Sequence, residues 1–467
     1  MPKNNQNGRT SVEKEKLLHA ILRKKRYRVH FVGIGGVSMY ALAVLAKNTG
    51  ADVSGSDTNI CERVRKLQEM GITVFCGHSS ENPGEAELVV YSHAISDANP
   101  ELREAERRGI LCVSRAEYMG AMMLSYRTRI GVSGSHGKST TTAMLEHIFT
   151  YAGRNPSVLS GSELESGEPY RDGGRDMLIY EACEYRDSFL SFSPSVAVAL
   201  NLELDHTDYF ENIQSLRASF VKALARATSF ALVRADDENL AKIIPEIKKK
   251  TKTITFGEDT RCDYSYFINS FCNDGFVFTL THFGIDIKYK LNLLGVHNVS
   301  NAVAAIIVAL EMGIAVDVTI EAVESFCGIA RRLEYIGTRY GKPIYYDYAH
   351  HPTEISASIT ALKLALKEPL TVVFKPHTFS RTASLWDDFC TALALADRVI
   401  VTDIYPAREE PIDGINSKRL AEAIGSTAEY SPDSEVAFKL NEQTHRSAVV
   451  LMGAGDMEDI KYEVLNK

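Results

Sequence analysis

The stretch with the most evident chemistry is Gly134-Ser135-His136-Gly137-Lys138-Ser139-Thr140-Thr141. It follows an apolar run, Arg129–Val132, and leads into a helical pattern over Thr142–Tyr151. Glycines there let backbone N–H groups close around phosphate oxygens, and a helix start adds unpaired donors and a positive dipole end. Lys138 can neutralise β- and γ-phosphate charge, and the hydroxyl of Ser139 or Thr140 can ligate Mg²⁺. Val132 stands where a standard phosphate loop has its first glycine. A chance Gly-Lys-Ser before a helix is the ordinary alternative, and the helix start and flanking threonines weigh against it.

Acidic groups follow two later apolar runs. Met177–Tyr180 ends at Glu181, in Glu181-Ala-Cys-Glu184, and Val196–Leu200 leads to Asp205-His206-x-Asp208. In an open parallel sheet ligands gather at the carboxyl ends of strands, which puts these groups at the edge of the loop. Hard oxygen donors suit Mg²⁺ and a neutral imidazole can join them, so Ser139, Thr140, Glu181 and His206 form the expected metal set. Taken alone, His206 would read as a surface histidine.

Near the start, Gly33-x-Gly35-Gly36 sits between a short strand and a helix, and Asp57 ends the next strand. That is the arrangement of a dinucleotide-binding turn with its ribose acid, although Ser38 replaces the third glycine. A tight turn with no ligand would use the same glycines. Further on come His297-Asn298-x-x-Asn301, Arg331-Arg332, Asp347-Tyr-Ala-His350-His351-Pro-Thr-Glu354 and His377-Thr-Phe-Ser-Arg381. The H-E-x-x-H metal pattern is absent, and the positions after strands favour substrate binding. Asn298 reads as the N-cap of a helix over Val299–Glu311.

The elements that must hold these groups read as an α/β chain. Strands are expected at Arg28–Val32, Asp52–Ser56, Thr73–Phe75, Leu88–Tyr91 and Leu111–Val113, with a helix over Ser38–Asn48. A second set begins at Arg129 and turns β-rich between Tyr264 and Ile287. A third has strands at Pro343–Tyr346, Leu370–Phe374, Val399–Thr402 and Val449–Leu451. Strands alternating with helices imply parallel sheets covered on both faces. At roughly 150 residues per domain, 467 residues suggest about three domains, with boundaries near 125 and 332. The net charge of −8 carries no basic footprint for a nucleic-acid partner. The first 28 residues lack an apolar signal core, and the most apolar stretch, Val37–Ala46, is too short for membrane insertion. Eight cysteines without a C-x-x-C pair suggest a reducing, cytoplasmic setting. No motif specifies an oligomeric state.

In order along residues 29–456, the motifs GIGG, GSHGKSTT, EACE, LDHTD, GVHNVSNAVAA, RRLEYIG, DYAHHPTE and HTFSRT resemble those of the Mur ligases of peptidoglycan synthesis. The resemblance implies a three-domain α/β architecture. A Rossmann-like UDP-sugar-binding domain would occupy 1–125, a central P-loop ATPase domain 126–331, and a Rossmann-like domain contacting amino acid and ATP 332–467. It implies an ATP- and Mg²⁺-dependent cytoplasmic ligase joining L-alanine to UDP-N-acetylmuramate. On this reading Gly33, Gly35, Gly36, Asp57, His78 and Ser92 line the UDP-sugar site. Gly134 to Thr140, His297, Asn298, Asn301, Arg332 and Asp347 hold ATP, and His351, His377 and Arg381 hold the amino acid. Lys138, Glu181, His206 and Arg381 carry the chemistry. Thr378 stands where many members have arginine, and Ser219–Lys222 offers no match to the carbamylated lysine of sister ligases. Three alternatives stay open: a ligase adding a tripeptide to the same sugar, an NAD-dependent oxidoreductase built on residues 28–120, and a non-catalytic UDP-sugar sensor.

Overall fold

Val196–Ala199, apolar at every position, and Leu370–Phe374, apolar but for Thr371, read as strands buried on both faces, and the computed structural model has them so. It describes residues 10–204, 209–272, 275–407, 409–441, 447–454 and 457–466. Asp205, His206 and Asp208 lie outside the described residues.

Three sheets organise the chain. The first is parallel, in the order β3-β2-β1-β4-β5, from β1 (Arg28–Val32), β2 (Asp52–Asp57), β3 (Thr73–Cys76), β4 (Leu88–Tyr91) and β5 (Leu111–Ser114). The second contains β6 (Thr128–Ser133), β7 (Ser157–Leu159), β8 (Tyr170–Arg171), β9 (Met177–Glu181) and β10 (Val196–Ala199). It continues with β11 (Phe230–Arg234), β12 (Thr253–Gly257), β13 (Tyr264–Cys272), β14 (Gly275–His282) and β15 (Ile285–Leu291). Its order is β15-β14-β13-β12-β11-β10-β6-β9-β7-β8. The third runs β16-β17-β21-β18-β19-β20, from β16 (Glu334–Arg339), β17 (Lys342–Asp347), β18 (Leu370–Phe374), β19 (Arg398–Val401), β20 (Ala428–Tyr430) and β21 (Ala448–Met452). There β16 is antiparallel to β17, and the remaining pairs are parallel.

By packing, the chain divides into two compact units. One holds residues up to Tyr266 with 281–284 and 304–319; the other holds 267–280, 285–303 and 320–467. In the first unit the helix Val37–Asn48 is buried along Met39–Ala46 beneath β1 and β2. In the second, the helices Pro352–Leu366 and Trp386–Leu393 cover one face of the third sheet, while the C-terminal helix Glu458–Asn466 covers the other. No described helix is long and apolar enough to cross a membrane, and all eight cysteines are free thiols.

Two helix starts differ from the sequence reading by more than one residue. The helix after the phosphate loop begins at Lys138 rather than Thr142, because Gly137 at φ 84° turns the chain directly into it. The helix carrying Asn298 begins at Val296, so Asn298 lies inside its first turn and is not its N-cap. The Asn298 side-chain amide donates back to Leu294 O at 2.8 Å.

Candidate functional site

In the first unit, β6 delivers the chain into Gly134–Gly137 and the helix Lys138–Tyr151. A side chain beyond the neighbouring strand β10 clamps that loop. Asn201 accepts from His136 N at 2.8 Å and donates to His136 O at 3.0 Å, copying a strand pairing with one amide. The Ser135 hydroxyl donates to Glu203 O and accepts from Glu203 N, both at 2.9 Å. Lys138 Nζ folds back over the loop, donating to Gly134 O and, at 3.2 Å, to Ser135 O. It also pairs with Glu184 at 3.4 Å, where the carboxylate side chain is only 3% exposed. A carboxylate so buried needs its cation, since leaving either charge alone there is costly.

Glu181 ends β9 beside this loop. It accepts from Ser160 Oγ at 3.0 Å and from Gly161 N at 2.6 Å, both on Oε1. Ser139 and Thr140 are nearly buried in the first helical turn, and the buried Thr141 hydroxyl has no hydrogen-bond partner among the described residues. Hydroxyl and carboxylate oxygens at one strand edge are the donor set a hard divalent cation takes.

The other glycine turn is built differently. Gly33 N and Ile34 N donate to Ser56 O, at 2.8 and 3.0 Å. Asp57 Oδ2 accepts from Gly35 N at 2.9 Å and its Oδ1 from Asn59 N at 3.0 Å, so the carboxylate expected to meet a ribose is bonded to the turn's own backbone. Arg63 donates to Gly35 O at 2.8 Å. A Cβ on Gly35 would lie 2.9 Å from Val64 Cγ2 and 3.0 Å from Asp57 Oδ2. Ser92, after β4, lies beside Gly33. Beneath Ser56 is a polar cluster of His30, His78, Asn82 and the fully buried Glu101.

In the second unit, the ends of β17 and β18 collect the remaining residues. Asp347 is buried and accepts from Ala349 N and Ser358 Oγ, each at 2.8 Å, and from Leu333 N at 3.3 Å. Burial pushes its carboxyl above the usual range. Asp347 therefore fastens the chain around Leu333. Arg332 lies 3.6 Å from Glu354 and over the Tyr348 ring. His351 caps the helix Pro352–Leu366 together with Glu354. His377 Nδ1 lies 3.3 Å from Arg381 Nη1, and its ring is 6.0 Å from that of His350. Burial, then His350 and Arg381, push the His377 pKa down to about 4, and burial also lowers that of His350. Thr378, at φ 67°, caps the helix Phe379–Ser384. His297, Asn298 and Asn301 share the first two turns of the helix Val296–Glu311, with Asn301 donating to Asn298 at 3.1 Å.

Within each unit, then, most of the described predicted groups lie at or just past strand ends, with His297, Asn298 and Asn301 in a helix instead, and the loop and Glu181 draw in residues the sequence reading assigned no role: Asn201, Glu203, Ser160 and Gly161. The one advance signal was the position of Asn201 directly after an apolar strand. Glu101 and Asn82 carried none.

Three family models match. "Mur ligase family, catalytic domain" covers residues 28–127, "Mur ligase middle domain" 132–309, and "Mur ligase, glutamate ligase domain" 331–455. A UDP-N-acetylmuramate–L-alanine ligase of Caldicellulosiruptor saccharolyticus is 41% identical over 448 residues, covering 93% of this chain and 98% of that one. The crystal structure of the UDP-N-acetylmuramate–alanine ligase of Thermotoga maritima superposes with a TM-score of 0.80 at 28% identity, covering 94% of this chain and 98% of that one. A murein peptide ligase of Psychrobacter arcticus shares the fold at a TM-score of 0.69 and 24% identity, over 94% of this chain and 98% of that one.

Proposed function

The chain belongs to the Mur ligase family, and from that membership we propose that it joins L-alanine to UDP-N-acetylmuramate with conversion of ATP to ADP and phosphate, in cytoplasmic peptidoglycan precursor synthesis. The observation that carries the chemistry is the clamped loop with Lys138 held over it. Residues 1–125 take the UDP-sugar, 126–331 ATP, and 332–467 the amino acid.

A carboxylate does not acylate an amine at neutral pH. Transfer of the γ-phosphoryl group to the lactyl carboxylate gives an acyl phosphate with a good leaving group. The amine of L-alanine attacks its carbonyl carbon, and the tetrahedral adduct collapses with loss of phosphate. The protein's part is positioning and electrostatics. Lys138 balances charge on the moving phosphoryl group, while the loop N–H groups hold its oxygens. Ser139, Thr140 and Glu181 would hold one Mg²⁺ and His206 a second. Bound there, Mg²⁺ supplies charge neutralisation between phosphates. Arg381 meets the alanine carboxylate with its planar guanidinium. His377, held neutral by burial with its Nδ1 3.3 Å from Arg381 Nη1, can accept a hydrogen bond from that guanidinium and orient it toward the carboxylate.

The test is ADP release with UDP-N-acetylmuramate, Mg²⁺ and each amino acid in turn. L-Alanine is the expected substrate, with glycine and serine slower by about tenfold, since one methyl group discriminates by only ~1–3 kcal/mol. Turnover with the tripeptide alone, or nicotinamide reduction without ADP release, would replace this reading.

A further inference from the structure

Glu101 is a carboxylate with no exposure at all, on the first turn of the helix Pro100–Arg107, outside the glycine-turn, phosphate-loop and histidine motifs. Its surroundings are polar on all sides. Ser56 Oγ donates to Oε2 at 2.7 Å, Asn82 Nδ2 donates to Oε1, His78 Nδ1 lies 3.4 Å from Oε2, and His30 Nε2 lies 3.6 Å from it. Burial raises its pKa, but His30, Ser56 and Asn82 outweigh this and hold the carboxyl below its ordinary range. A carboxylate kept ionised in the dry part of a domain is costly unless every oxygen is used.

The bonds run on to the two loops that border the glycine turn. Ser56, whose hydroxyl goes to Glu101, accepts from Gly33 N and Ile34 N through its carbonyl. Asn82, on the other oxygen, also donates to Gly77 O at 3.1 Å, and Gly77 N donates to Asp57 O at 2.8 Å. His78 comes directly after Gly77, with its Nδ1 3.2 Å from Ser56 Oγ. Because Ser56 donates its hydrogen to Glu101, only its lone pairs face His78. Both neighbours of Nδ1 are thus acceptors, which requires the hydrogen to sit on Nδ1.

We propose that Glu101 is a positioning residue of the nucleotide-sugar site, fixing His78 as the Nδ1–H tautomer so that Nε2, turned away from the carboxylate, accepts a hydrogen bond from an O–H or N–H group of the nucleotide. This rests on the reading that the Gly33–Gly36 turn takes a UDP-sugar. It makes His78 a reader of the nucleoside rather than a phosphate contact.

The test uses the full chain and two variants, Glu101→Gln and Ser56→Ala, the second being a small change that folds even if a buried glutamine does not. In Glu101→Gln the KM for UDP-N-acetylmuramate rises about tenfold, as expected for a lost charged hydrogen bond, while kcat and the KM for ATP stay within about twofold. Histidine-selective ¹⁵N NMR shows Nε2 of His78 unprotonated in the parent and in Ser56→Ala, where the carboxylate still accepts from Nδ1, and redistributed toward Nε2–H in Glu101→Gln. A tautomer signature unchanged in folded Glu101→Gln, or lost in Ser56→Ala, overturns the proposal, and so does a parallel rise in the KM values for UDP-N-acetylmuramate and ATP. Calorimetry of the parent chain with UDP-N-acetylmuramate separates the two layers. No binding there sinks the UDP-sugar reading itself, whereas binding that neither variant weakens sinks only the role of Glu101.

Discussion

At Gly33–Gly36 and again at Gly134–Gly137 a buried parallel strand passes through glycines into a helix, so both turns aim backbone N–H groups at the same kind of place. The residues just past the glycines separate the two. After the first come Val37, Ser38 and Met39, and the helix runs on into the core. After the second come Lys138, Ser139 and Thr140, which put a cation and hydroxyls at the turn. The anchoring differs in the same sense. The first turn is held by a carboxylate, Asp57 on Gly35 N, and the second by a neutral amide, Asn201 on His136. An acid behind the first turn suits a static cradle for a group that does not react. A neutral clamp on the second turn adds no charge of its own, so the charge there is set by Lys138 and its partner Glu184.

The sharpest way to break that contrast is Lys138→Ala. Turnover should fall at least ~10²-fold, the effect of removing a charge that stabilises the transition state. The same change strands Glu184, so stability should fall by about 3 kcal/mol. Adding Glu184→Gln separates the two roles. The double variant should regain most of its melting temperature in a thermal scan and none of its ADP release. Recovery of ADP release would make Lys138 a structural partner only.

At the first turn the matching change is Gly35→Ala. The new methyl group would press on Val64 and Asp57 and pull the turn off its acid. Overpacking of this kind costs ~1–3 kcal/mol. The KM for UDP-N-acetylmuramate should rise about 30-fold, equal to ~2 kcal/mol, with the KM for ATP unchanged in initial-rate assays. A rise in the KM for ATP instead would assign the turns the other way round.

Asn201→Ala should do less at the second turn. It removes two hydrogen bonds and leaves the loop in place through Ser135 and Glu203. At about 1 kcal/mol net, the KM for ATP should rise about fivefold with kcat nearly unchanged. A loss in kcat as large as that of Lys138→Ala would mean that the clamp, not the cation, sets the rate.

These same turns mark what could be read in advance. Strands such as β10, apolar at every position, and β18, apolar but for Thr371, were legible because so short an apolar run admits few other structures. β20 was not, since Ala428-Glu-Tyr430 is partly exposed and gains its place by pairing with β19. The phosphate-loop helix starts earlier than its sequence pattern implies because Ser139 to Thr142 are weak helix formers, and a left-handed Gly137 overrides that preference. That Glu181 ends a strand beside the loop carrying Lys138 was legible from residue type and strand context. The pairings of Asn201 and Glu101 were not, because their partners His136 and Ser56 stand 65 and 45 residues away, and the fold alone brings them together.

The third sheet departs from both turns. Its strand β18 ends not in glycines but in Lys375-Pro-His377, and the charge there is set by burial around histidines. In the folded chain His377 takes up a proton only near pH 4, whereas an unfolded histidine does so near ~6.5. Between those values the unfolded state binds more protons than the folded one, so stability rises with pH across the window and is lost as pH falls through it. The part due to His377 is fully present above ~6.5. Urea titrations between pH 7 and 4 should show this slope, reduced by partial exposure of the ring, and His377→Asn should flatten it. The same substitution should leave the KM for UDP-N-acetylmuramate unchanged and raise that for L-alanine. A variant with the parent's acid slope would move the titration to another group, and an unchanged KM for L-alanine would take His377 out of the amino-acid site.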